Sequence, residues 1–408
     1  MGHQTFIPFE MLSCTPRQLL RRGNLRTLRM LSTASKSQPY DAVIIGAGPG
    51  GLTAASTLMD QGLSRICMFD PHFTAGRIHE KYREVPSNTK TKMFAQWATD
   101  TKTFSKIVKE APTPNAFTTM MSFDQDEGCV LGDAVNVAQL LSDGIRKVPG
   151  VDSVTAHIEH LHRENDVWNV SGQGITSRKV ILTPGSHPKR SSLIDRYPHL
   201  QEIDLDTSLK PSALTNAIPP GSVVGIVGAS HSAILALKNV YELASDDIRI
   251  VNFHRSPLLY AEYREGWILH DNTGLKGVAA DWARAILAPE QDPRIRRVNL
   301  KTDDRTETQI YDEELAQCTH LISAIGYAMN ELPSIRVDGE EVTPEFDALT
   351  GRFKEKKSGR ALPGLYGAGI AYPERVTDRE GNVESAVGWL KFMRFCKRVA
   401  PSWAAQDP

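Results

Sequence analysis

Tyr40-Asp41-Ala42-Val43-Ile44-Ile45-Gly46-Ala47-Gly48-Pro49-Gly50-Gly51 is a short β-branched apolar run that breaks directly into glycine. Such a run, bounded by turn formers, reads as a strand buried in a parallel sheet. The glycines spell G-x-G-x-x-G, and Leu52 to Gln61 behind them has the composition of a helix. The motif therefore stands in strand–turn–helix order, the context in which it binds a dinucleotide. Gly46 permits the tight turn, Gly48 lets the backbone approach a pyrophosphate, and Gly51 lets the helix pack close to the strand. The free N–H groups and positive dipole end of the helix then face the phosphates. A second strand, Arg65 to Phe69, ends at Asp70, nineteen residues after Gly51. An acid at that place binds the ribose hydroxyls. A glycine loop that merely turns is the plainer alternative.

The pattern recurs later in the chain. Ser222 to Val227 reads as a strand, and Gly228-Ala229-Ser230-His231-Ser232-Ala233 opens a second helix. The next strand, Arg249-Ile250-Val251-Asn252-Phe253, aligns with Arg65-Ile66-Cys67-Met68-Phe69. On that alignment Asp70 is replaced by His254, followed by Arg255 and Ser256. Losing an acid and gaining an arginine at this corner converts ribose-hydroxyl binding into 2′-phosphate binding. The first unit is thus expected to bind FAD and the second NADPH. Gly228, Ser230, Ser232, Arg255 and Ser256 are the candidate NADPH contacts. A degenerate unit without ligand is the competing reading here, because Ser230 and Ala233 replace two glycines.

Val180-Ile181-Leu182-Thr183-Pro184-Gly185 and Leu321-Ile322-Ser323-Ala324-Ile325-Gly326 are apolar strands ending in small-residue turns. Both resemble the "ATG" segments of two-dinucleotide flavoproteins. Leu362 to Ile370 resembles the segment by which such proteins return to the flavin, with Gly369 at its turn. A helix is expected from about Val383 to Val399. On these segments the chain resembles the two-dinucleotide-binding-domain flavoproteins over roughly residues 40–400. That superfamily includes disulfide reductases and flavin-containing monooxygenases.

The resemblance implies an α/β fold of two Rossmann-like domains, the NADPH domain inserted in the FAD domain. The implied boundaries are a leader or tail over 1–39, FAD-binding parts over 40–190 and 331–408, and the insert over 191–330. Thr183, Gly185, Gly326 and Gly369 are carried over as cofactor-side positions. The implied chemistry is hydride transfer from NADPH to the flavin.

Disulfide reductases of this superfamily need two cysteines against the flavin, and Phe73 to Met93 contains none. Tyr82 to Met93 is instead similar to the Y-x-S-V-x-x-N-x-S-K-x-M segment of flavin-containing monooxygenases. Tyr82, Val85, Asn88 and Met93 match it, while Glu84, Lys90 and Thr91 depart. The resemblance places Asn88, expected in a loop, beside flavin and nicotinamide as the catalytic candidate. Other family features are missing. Thr207 to Pro220 lacks the fingerprint histidine, Ala75-Gly76-Arg77-Ile78 stands for G-G-x-W, and Ile370 stands where an aspartate is expected. The favoured activity is oxygen transfer to a small organic substrate. The alternatives are a reductase serving a quinone or protein carrier, and a nucleotide sensor without turnover. Pro86-Ser87-Asn88-Thr89 also reads as a turn or helix cap.

Composition bounds the partners. The 408 residues are 40% hydrophobic and 23% charged, with 47 Lys+Arg against 48 Asp+Glu. A net charge of −1 gives no basic field for nucleic acid. No apolar run approaches the ~18 residues of a membrane span. No motif speaks for a particular oligomeric state. Five scattered cysteines form no C-x-x-C pair and no zinc site. Arg17, Arg21, Arg22, Arg26, Arg29 and Lys36 against the lone Glu10 read as a mitochondrial leader. A start at Met30 would instead leave a cytoplasmic chain. His157, His160 and His162 read as a solvated strand face rather than a metal site. Trp267 to Asp271 reads as a surface loop, with a pocket wall carrying His270 as proton donor the alternative.

Overall fold

Ala42–Ile45 pairs in parallel with Ile66–Phe69 on one side and Val180–Leu182 on the other. These strands lie at the centre of a seven-stranded sheet in a computed structural model describing residues 38–243, 247–287, 292–301 and 305–405. The arginine-rich leader, Met30 and Cys14 lie outside the described residues. Both faces of the sheet are covered, which is why its strands are apolar without alternation. Ala42, Ile44, Ile66 and Met68 point into the core under the helices. Their neighbours Val43, Cys67 and Phe69 point the opposite way, into a second core with Trp168, Leu161 and Ile335. That second core belongs to a five-stranded sheet running from Glu340–Glu341 through His160–Glu164 to Ile175–Ser177.

The chain leaves the large sheet after Val180–Leu182 and returns to pair with it in parallel through Ala361–Gly367. Between these points lies a separate, wholly parallel sheet. Its order is Gln201–Ile203, His320–Ser323, Val223–Val227, Arg249–His254, Ile295–Asn299. The outgoing and returning chains run together as an antiparallel ribbon, Ser186–Pro188 against Tyr327–Met329.

The C-terminal segment differs from expectation. Val383–Ala386 is a strand, hairpinned with Glu374–Thr377, and the helix runs from Trp389 to Ala404. The reason is visible in the burial. Glu384 and Ala386 point inward while Val383 points out, a period of two. Gly388, at φ 142°, then turns the chain into the helix, a conformation that L side chains resist. The helix buries nine residues, including Trp389, Phe392 and Trp403, against the Pro49–Asp60 helix and its neighbours.

Only His160 and His162 lie on a strand; His157 precedes it and lines a cavity. His160 and His162 share a strand face, and each bonds a serine hydroxyl, Ser334 and Ser171. Among the described residues no group of His, Cys, Asp and Glu is arranged to hold a metal ion. Cys67, Cys129, Cys318 and Cys396 are buried and unpaired. No described helix is long and apolar enough to cross a membrane.

Trp403 locks the C-terminal helix to the returning strand. Its ring stacks on Tyr366 at 4.9 Å, and its indole N–H donates to Thr350 O at 2.9 Å. Trp403→Ala removes a fully buried aromatic and is expected to cost about 3–5 kcal/mol in denaturant unfolding.

Candidate functional site

The first glycine loop is shaped by backbone meeting backbone. A Cβ on Gly46, which sits at φ 99°, would stand 2.2 Å from Thr183 O. A Cβ on Gly51 would stand 1.9 Å from Gly46 O. Gly50 was not singled out by the motif, yet its Cβ would lie 2.8 Å from Gly369 Cα. The loop and the late Gly369 turn therefore touch without a side chain between them. Gly48 differs: its Cβ would meet nothing closer than Gly76 Cα at 3.8 Å. It precedes the Pro49–Asp60 helix and offers no capping side chain, so the first helical N–H groups have no side-chain acceptor there.

Asp70 ends its strand 8% exposed. One carboxylate oxygen accepts Ala47 N–H at 2.8 Å; the other accepts His72 and Phe73 N–H at 2.9 and 2.7 Å. The acid thus fixes the glycine loop as well as facing the cavity. The Thr183 hydroxyl lies 2.8 Å from both Ile45 O and Gly46 O. A cavity of about 1300 Å³ opens before these groups, lined by Gly48, Asp70, Thr183, Gly185 and Gly369.

The second loop repeats the first bond for bond. Gly46 N–H donates to Phe69 O at 2.8 Å, and Gly228 N–H donates to Phe253 O at 2.8 Å. Thr183 N–H reaches Ile45 O as Ala324 N–H reaches Val227 O, both at 2.9 Å. A Cβ on Gly228, at φ 133°, would stand 2.5 Å from Ala324 O. Asn252 reinforces this turn by donating to Ile226 O and Gly228 O. A pocket of about 320 Å³ follows, lined by Gly228, Ser230, His254, Arg255 and Ser256. Arg255 stands at its rim with both guanidinium contacts, 2.8 Å each, on Glu307. Burial and the Arg297 guanidinium push the His254 imidazole below its ordinary value.

The candidates do not all fall together. Ser230 lines the small pocket, whereas Ser232 lines the large cavity. Gly326, at φ 95°, lines neither and accepts Lys189 N–H at the ribbon. Asn88 lines the large cavity from the strand Pro86–Lys90, not from a loop. Pairing with Gly128–Val130 straightens that segment. Ser87 takes the turn role instead, accepting Thr89 N–H at 2.9 Å. The Asn88 side chain caps no helix; its oxygen accepts the Thr89 hydroxyl at 3.3 Å. Ile370 also faces the cavity, an apolar contact in place of an acid.

Arg77, Tyr82 and the departing Glu84 have a visible task. Arg77 and Tyr82 both bind Asp206 of the inserted sheet's approach, Tyr82 at 2.7 Å. Glu84 accepts Ser212 N–H at 2.9 Å. The expected surface loop at Trp267 to Asp271 is instead a wall. Trp267–Leu269 is a strand paired with Glu262–Arg264, and Trp267, Ile268 and Asp271 line the large cavity while His270 does not. His231 also lines that cavity; burial and Lys276 push its imidazole down to about 4, so it stays neutral near pH 7.

Two glycine cradles that share their backbone hydrogen bonds, one opening on a cavity that also reaches the insert's His231 and Ser232, define a two-dinucleotide fold. The chain belongs to the pyridine nucleotide-disulphide oxidoreductase family, whose model matches residues 40–346. It is 42% identical over 391 residues to Monooxygenase AgnR1 of Paecilomyces divaricatus, covering 91% of this chain and all of that one. Its fold is similar to an ornithine N-hydroxylase of Kutzneria sp. 744, at TM-score 0.57 and 13% identity over 90% of this chain and 99% of that one. A flavin monooxygenase of Stenotrophomonas maltophilia gives TM-score 0.54 and 15% identity over 90% and 99%. The chain is an FAD- and NAD(P)H-dependent oxidoreductase of this family, similar in sequence to a monooxygenase.

Gly48 and Gly51 separate ligand space from folding space. Gly48→Val adds a side chain where the protein leaves room, so it should fold yet purify without flavin absorbance. Gly51→Val drives a side chain into Gly46 O and should fail to accumulate as folded protein.

Proposed function

We propose that this enzyme reduces its flavin with NADPH and transfers one oxygen atom of O₂ to a small organic substrate, the other leaving as water. The observation that carries the reading is a single cavity reaching the first cradle, Asn88 and the insert's His231 and Ser232. FAD is assigned to Gly46, Gly48, Gly51, Asp70, Thr183, Gly185 and Gly369, in a body made of 40–190 and 331–408. NADPH is assigned to the insert, 191–330, through Gly228, Ser230, Ser232, Arg255 and Ser256. When bound, FAD supplies hydride acceptance and oxygen activation.

The chain's own residues orient and enclose. Asp70 ties the loop so that its N–H groups stay fixed. Asn88 both donates and accepts hydrogen bonds without titrating near pH 7. That suits a group holding polar atoms beside a reaction that water must not reach. Ile268, Ile370 and Val376 supply apolar wall. Buried thiols play no part. Burial pushes Cys67 and Cys318 up to about 12, far from the thiolate that dithiol chemistry needs. The first 39 residues are proposed as a leader, tested by comparing where fusions of the full chain and of 40–408 accumulate.

Anaerobic reduction by NADPH followed by mixing with O₂ tests the activity. Wild type should reduce fast and, with no substrate present to take an oxygen atom, release H₂O₂ only slowly after mixing with O₂. Asn88→Ala should keep its flavin, its Tm and its reduction rate, and release H₂O₂ faster. Reoxidation by a quinone but not by O₂ would establish the reductase reading.

Arg255 should decide between nucleotides. A charge-assisted bond to a 2′-phosphate contributes roughly 1.5–3 kcal/mol, or about ten- to a hundredfold in kcat/KM. Arg255→Ala should bring NADPH down to the level of NADH in steady-state assays.

A further inference from the structure

The loop after the Trp267–Leu269 strand carries a part-buried charge cluster at the wall of the large cavity. Asp271 holds Lys276 with one carboxylate oxygen and Lys391 with the other, the latter at 2.6 Å. Lys391 also donates to Asn272 Oδ1 at 2.6 Å. Asn272 donates its backbone and side-chain N–H to Glu384, both at 3.0 Å, and Thr273 adds its hydroxyl. Val387 N–H returns a bond to Asn272 Oδ1 at 3.3 Å. Two acids balance two lysines, so the part-buried cluster carries no net charge.

The cluster's position gives it consequence. Asp271, Asn272, Thr273 and Lys276 belong to the segment between the second glycine unit and the Gly277–Ile286 helix. Glu384, Val387 and Lys391 belong to the C-terminal segment that packs on the first glycine unit. Lys276 immediately precedes the Gly277–Ile286 helix, and a Cβ on Gly277 would lie 3.9 Å from Asn88 Cα. Lys276 is also the charge that acts on His231. Burial opposes ionisation of Asp271, but its two lysines hold its carboxyl below the ordinary range.

We propose that Asp271 is a positioning residue: by holding Lys276 and Lys391 together it fixes how the Gly277–Ile286 helix of the insert sits against Asn88 at the first cradle's cavity. Its carboxylate stands at the cavity wall, held by the two lysines. Its effect reaches the reaction through the first turn of the Gly277–Ile286 helix. The kinetic consequence rests on the NADPH-to-flavin reading above, whereas the tie itself does not.

Asp271→Asn leaves an unbalanced lysine and can fail for that reason alone. The double variant Asp271→Asn/Lys391→Met restores the charge balance while cutting the tie. In FAD-loaded protein without NADPH, hydrogen exchange at the Asn272 and Val387 amides should rise together in the double variant. Flavin content should match wild type. The limiting rate of anaerobic reduction by NADPH should fall about ten- to a hundredfold, the cost of a misplacement near 1 Å. NADPH affinity and reduction by dithionite should not change. A double variant that NADPH reduces at the wild-type limiting rate, or whose two amides keep wild-type exchange, overturns the proposal. A wild type that NADPH cannot reduce counts against the functional reading, and the exchange experiment then decides the tie alone.

Discussion

Contact between backbones with no side chain between them is the constraint on which the rest of this protein depends. Gly51 packs its helix onto the carbonyl of Gly46, Gly46 lies against Thr183, and Gly50 lies against Gly369. These contacts join the first strand, the strand that closes the first half, and the strand that returns over a hundred residues later. A methyl group at any of them would separate elements that the sheet pairing requires to be adjacent. The cavity mouth is what remains where the backbones come close and Gly48 leaves room.

The same device appears in the insert, where Gly228 lies against Ala324. Repetition extends to individual hydrogen bonds, which explains why a motif with Ser230 and Ala233 in place of glycine still forms the turn. Only the glycine whose Cβ has nowhere to go is retained. Asn252 provides a further support that the first unit lacks, bonding the turn from beneath.

The two units are then held to each other by polar contacts beside an apolar seam, where Val85, Tyr82 and Leu131 pack against the insert's core. Asp206 takes Arg77 and Tyr82 on one side, and Asp271 and Glu384 take lysines and amides on the other. Most of these residues lie where the chain departs from the family pattern or where no pattern was visible. Cations and carboxylates that meet across such a seam are satisfied only in one arrangement, so they select a register that apolar packing alone would leave loose.

The amino-acid sequence by itself determined the strands that flank the two glycine turns, the turns themselves, the acid at Asp70 and its replacement by His254 and Arg255. Each of those is a local matter, settled by backbone sterics and the spacing of apolar residues. The sequence also carried the absence of a redox cysteine pair. It misjudged the start of the last helix, where Val383 to Val387 alternates inward and outward and Gly388 resets the chain. It missed Gly50 and reduced Trp267 to Asp271 to a surface loop. Those features depend on partners more than a hundred residues away: Gly369 for Gly50, Glu384 and Lys391 for Asn272 and Asp271. Tertiary structure alone decided them, because a side chain's burial and charge balance are set by what folds against it, and no local spacing records that.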